Sequence, residues 1–125
     1  MTAADSSGVE VERVLLAEAA AVAARSVPGV VRLQPGLVGL LKQLAAQAWE
    51  RATGRPVPDI AGIDVDLRAD GSVQVGARIV TAATYRAAEV GADVHAAIST
   101  AIEAVTGTAP QVRVRIVEID LEPQR

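Results

Sequence analysis

Two alternating stretches around one Asp-Gly dipeptide constrain this chain more than any other feature. Ile63, Val65 and Leu67 alternate with Asp64, Asp66 and Arg68, while Val73, Val75, Ala77 and Ile79 alternate with Ser72, Gln74, Gly76 and Arg78. A period of two puts aliphatic side chains on one face of a strand and polar ones on the other. Asp70-Gly71 tolerates the positive φ angles of a tight turn, so the whole stretch is expected to be a β-hairpin.

The residues that follow read as a crossover back into the same sheet. Val90, Val94, Ile98, Ala101, Ile102 and Val105 recur at three- and four-residue steps, one stripe of an α-helix. Thr106-Gly107 is expected to end that helix, because glycine readily turns left-handed past the last carbonyls, and Pro110 blocks its continuation. In the closing strand Val112, Val114 and Ile116 point one way, but from Val117 the apolar phase inverts to Val117, Ile119 and Leu121. One register cannot bury both sets, which predicts a β-bulge near Ile116-Val117 or a second covered face there. A strand, helix and parallel strand in sequence should cross over right-handed.

Upstream, residues 1–8 read as a flexible tail, with Ser7-Gly8-Val9-Glu10 at the spacing of a capping box. Leu15, Leu16, Ala19, Val22 and Ala23 then form a helical stripe that ends at Pro28-Gly29, followed by a short extended segment, Val30 to Leu33. A second helix is expected from Pro35 to Gly54, with Leu37, Leu40, Leu41 and Leu44 on one face and Trp49 at the margin. The element order is therefore α-α-β-β-α-β within a single domain over residues 9–122. This is an α+β, two-layer fold, with helices packed on one face of a three-stranded mixed sheet. The expected strand order is 2-1-3, with the hairpin's first strand central so that Asp64 and Asp66 face Arg113 and Arg115; the order 1-2-3 is the alternative.

Composition limits the chemistry. There is no Phe, so Val, Leu, Ile and Ala must build the core, and the absence of Cys removes disulfides and thiolate chemistry. His95 is the one histidine, which rules out His-based dyads, and its place beside the Val94 stripe suits an exposed helix surface. Asp64 and Asp66 share a strand face and would suit a hard cation, but no Asn or Gln run joins them and arginines are plentiful. A net charge of −3 gives no global attraction to nucleic acid. Gly36-Leu37-Val38-Gly39 matches the G-x-x-G of KH-type RNA-binding modules, although Leu and Val stand where such loops carry polar or basic residues. The apolar run Val14–Ala24 is too short to span a bilayer, and acidic residues precede it, so a soluble, retained protein is expected. No cofactor, metal site or catalytic residue is indicated.

From Val14 to Leu121 the pattern resembles the alkaline shock protein family, the bacterial envelope stress response proteins. The resemblance rests on an alanine-rich helix running into Val27-Pro28-Gly29-Val30 and on the hairpin from Gly62-Ile63-Asp64-Val65 through Val80. It continues through the helix of Val90, Val94 and Ile98 closing at Thr106-Gly107, and the strand Val112-Arg113-Val114-Arg115-Ile116. Many members carry a Tyr-Gly pair after the second hairpin strand, where this chain has Thr81 to Arg86, and the Pro35–Gly54 helix is longer and more apolar than the usual connector. The resemblance implies a non-enzymatic cytoplasmic protein linked to envelope stress. Some members are held at the inner membrane face by an anchor protein.

A sheet with helices on one face leaves its other face and its edges open to partners. The open face is expected to carry Asp64, Asp66, Arg68, Arg78, Arg113 and Arg115, largely neutralising one another. Val80, Val117 and Ile119 lie outside the main inward pattern and are expected to form a partner interface, for a second copy of the chain or a membrane-anchored protein, with Trp49 as a secondary contact. The alternatives are a KH-like RNA-binding module and a small-ligand or enzymatic domain.

Overall fold

The hairpin forms as its alternation dictates, and the sheet is built around its second strand. The computed structural model describes residues 3–36, 50–55 and 59–122. In chain order the elements are α1 (Ala3–Arg25), β1 (Val30–Leu33), β2 (Ile63–Leu67), β3 (Val73–Ala82), α2 (Ala87–Thr106) and β4 (Gln111–Asp120). Of the helix expected from Pro35 to Gly54, Pro35 and Gly36 are described and are not helical, residues 37–49 lie outside the described residues, and 50–53 form a helical turn that closes at Gly54, whose φ is +67°.

The sheet has four strands, not three, and the expected 2-1-3 order is corrected. β3 lies in the middle. β2 pairs antiparallel with its first half, from Ile63 opposite Ala77 to Leu67 opposite Val73. β1, expected only as an extended segment, pairs antiparallel with its second half, with Leu33 opposite Ile79. The two short strands therefore lie end to end along one edge of β3, and β4 runs parallel along the other edge. The physical reason is the length of β3. Ten residues accommodate two short strands on one side and a continuous ladder on the other, whereas cross-strand charge pairs of about 0.2–1 kcal/mol cannot outweigh that backbone pairing.

The junction between β1 and β2 is closed by backbone. The Gln34 N–H donates to the Arg78 carbonyl at 2.9 Å, and the Arg78 N–H donates to the Gly62 carbonyl at 2.9 Å. Gly62 adopts φ +90°, and a Cβ there would lie 2.8 Å from Gln34 N and 2.9 Å from Leu33 Cβ. Only glycine fits the turn and the close approach together.

The expected irregularity in β4 is present. Ile79 pairs with Ile116 but Val80 pairs with Glu118, so Val117 is the extra residue of a bulge. The bulge returns Ile119, opposite Thr81, to the helix-covered face.

The core lies between that face and the two helices. Val73, Val75, Ala77 and Ile79 of β3 meet Val90, Val94, Ile98 and Ile102 of α2, the stripe that the sequence periodicity predicts, except that Val105 is exposed. Gly107 caps α2 at φ +76° and donates to the Glu103 carbonyl. On α1 the expected stripe is rotated. Leu15 and Val22 are exposed, while Val14, Leu16, Ala17, Ala20, Ala21 and Ala24 are buried. A face of alanines lets α1 approach α2 and the sheet closely, and close packing outweighs side-chain size in choosing the buried face. α1 also begins at Ala3, which takes in most of the expected tail and places Ser7 inside the helix rather than at its cap.

Two predictions follow from local geometry. Gly62→Ala should destabilise the fold by more than the roughly 1–2 kcal/mol of a left-handed L-residue, because the methyl group also meets Gln34, and a lowered urea midpoint would show it. In the hairpin turn, Asp70 Oδ1 accepts from Ser72 Oγ at 2.6 Å and from the Ser72 N–H at 2.9 Å, which holds the Asp70 carboxyl below its usual range. A carboxyl depressed on folding stabilises above its unfolded pKa and loses that contribution as pH falls through its folded pKa. The Ser72 amide resonance should therefore move with an acid midpoint below that of an ordinary Asp, and should lose this transition in Asp70→Asn.

Candidate interaction site

β4 is the long outer strand of the sheet. One edge pairs with β3 along its whole length, and among the described residues no strand pairs with the other. Beyond the bulge its apolar residues outrun the cover available on their face. Ile116 still rests near α2, since a Cβ on Gly91 would lie 3.5 Å from Ile116 Cδ1. Ile119 is 50% exposed and Leu121, just past the strand, is 83% exposed. Val117 is half-buried at the bulge. The free backbone edge and this apolar end together form a surface suited to strand pairing.

Val80 does not belong to that surface. It is fully buried, which corrects its expected place in the interface. Arg32 and Glu118 flank Val80 in the two ladders, and Arg32 Nη2 donates to Glu118 Oε2 at 2.6 Å, closing an ion pair over the valine. Asp120 Oδ2 lies 3.9 Å from Arg32 Nη1. Sequence reasoning missed Arg32 because the extended segment Val30–Leu33 gave no sign of its pairing partner. Trp49 lies outside the described residues.

The open face of the sheet carries the expected charges in a different arrangement. Asp64 and Arg113 are separated by β3 and flank Gly76, so they are not cross-strand neighbours. Asp66 pairs with Arg68 at 3.6 Å. Arg68 also donates to Gln74 Oε1 at 2.8 Å, and Gln74 donates to Gln111 Oε1 at 2.7 Å. The expected mutual neutralisation stops there. Among the described residues no ion-pair partner reaches Asp64, Arg78, Arg113 or Arg115. A glycine in the middle of a strand, Gly76, was the sequence signal for this gap.

The residues weighed for chemistry do not converge. His95 is exposed on α2, where its carbonyl accepts from Ser99 Oγ. Among the described residues no three His, Asp or Glu side chains come together in a metal-binding set, and no helix is long and apolar enough to cross a membrane. Of Gly36-Leu37-Val38-Gly39, only Gly36 lies within the described residues. No protein-family model matches the chain, and no curated protein or solved structure is significantly similar to it.

Proposed function

We propose that this chain is a non-enzymatic interaction protein of the alkaline shock type, which acts in the cytoplasm through protein–protein contact. In this reading it pairs the outer edge of β4 with a second copy of itself, and an anchored partner can hold it at the inner membrane face. The observation that carries the proposal is the ten-residue outer strand with Ile119 near its end and Leu121 just past it, both exposed. A free edge supplies backbone donors and acceptors for an added strand, and exposed aliphatics beside it supply affinity. An antiparallel pair of identical strands is self-complementary, which suits a twofold dimer. The succession of an alanine-rich helix, Val27-Pro28-Gly29-Val30, hairpin, helix and closing strand supports the resemblance to that family.

Sedimentation velocity tests the pairing. The wild-type chain should sediment as a concentration-dependent dimer. Ile119→Asp, which places a charge on an exposed position, should weaken association by about tenfold or more, since central contacts of this kind cost about 1–2 kcal/mol or more when lost. Glu103→Gln on the exposed surface of α2 should change nothing. A wild-type chain that stays monomeric at every concentration would sink the proposal.

A further inference from the structure

The face of the sheet opposite α1 and α2 holds a cationic cradle. A cavity of about 240 Å³ lies over the middle of the sheet, lined by Asp64, Gly76, Ala77, Arg78, Arg113 and Arg115. The register explains it. Asp64, Gly76 and Arg113 lie side by side across three strands, and Arg78 lies beside Arg115 in the next row. The strands flanking β3 are roughly 9–10 Å apart, and Gly76 places no side chain between them. Its floor is open: a Cβ there would meet nothing nearer than Asp64 Cβ at 4.0 Å.

Three guanidinium groups against one carboxylate leave a local excess of two positive charges in a chain whose net charge is −3. Arg78 and Arg115 are direct neighbours in register, an arrangement of like charges that destabilises a sheet unless something compensates it. Arg78 is also fixed in place. Its backbone is tied to Gln34 and Gly62, and Gly36 packs on its side chain, where a Cβ would lie 3.5 Å from Cδ and 3.6 Å from Nε. Its Nε is buried with no hydrogen-bond partner. A buried donor without a partner, beside two guanidinium groups that no carboxylate of the described residues reaches, suits an anionic acceptor.

We infer that this cradle binds a phosphate group, either as free phosphate or at the end of a small phosphate monoester. A tetrahedral oxyanion offers acceptors in several directions to donors from three side chains, whereas a carboxylate offers two oxygens in one plane. The dianion also matches the local excess of charge. The inference is independent of β4 edge pairing, because the cradle lies on the face of the sheet.

Titration of the isotopically labelled chain by NMR, at fixed ionic strength, tests it with inorganic phosphate, glycerol 3-phosphate and a single-stranded RNA decamer as probes. Inorganic phosphate should shift the Gly76, Arg78, Arg113 and Arg115 amides saturably. Glycerol 3-phosphate binding tightly at the same amides would identify a monoester, and equal binding would identify phosphate itself. Arg115→Gln, at an exposed position, should weaken binding by about tenfold or more, the scale of one charge-assisted hydrogen bond. Gly76→Val leaves every charge in place and suits a strand, so it should keep or raise the unfolding temperature while abolishing binding. Shifts that sodium chloride reproduces would mean an adventitious ion only and overturn the inference. So would unchanged binding in both variants, or saturation of the same amides by RNA at concentrations where neither phosphate probe binds.

Discussion

Everything in this fold depends on the two edges of β3. A ten-residue strand with a continuous parallel partner on one side could take one long antiparallel partner on the other, but this chain supplies two short ones. They can share an edge only if their ends meet without a gap or a clash. Gly62 achieves this by turning left-handed against the backbone of Gln34, and Arg78 bridges the seam with a hydrogen bond to each side. The N-terminal helix–strand unit is thereby joined to the hairpin, and its alanine face is brought onto the same core that α2 covers.

That dependence explains what the sequence could and could not reveal. The hairpin, the α2 stripe, its glycine cap and the bulge at Val117 are local consequences of period, turn chemistry and phase, and each was legible from its own residues. The strand order was not. Asp64 and Asp66 opposite Arg113 and Arg115 made good electrostatic sense, but which strands are neighbours is decided by backbone ladder length and connection geometry. The α1 face was misjudged for a related reason. Leu15 and Val22 are the more hydrophobic residues, yet a helix that must nest between another helix and a sheet gains more by presenting Ala17, Ala20, Ala21 and Ala24.

The open face shows the same logic in its charges. Where a pair has an anchor on each side of a buried residue, as Arg32 and Glu118 have over Val80, the half-exposed charges meet and cover that residue. Where a glycine intervenes, as at Gly76, they stay apart and leave a concavity. Gly76 thus leaves room between two flanking charges that stay apart, while Val80 lies under two that meet.

The bulge divides the outer strand into two unlike halves. From Gln111 to Ile116 the strand is regular, and its open face carries Arg113 and Arg115. Charged side chains along an edge discourage indiscriminate pairing, so this half is protected by the residues that line the cradle. Past Val117 the strand bends and the register shifts. Ile119 and Leu121 then lie exposed, with no basic residue between them. Strand addition along the arginine half would set guanidinium groups of one copy near those of the other, whereas addition past the bulge buries apolar surface without that repulsion. Under the proposed edge pairing, contact centred on Ile119 is therefore the favoured one, and the inserted Val117 separates the charged half of the edge from the apolar half.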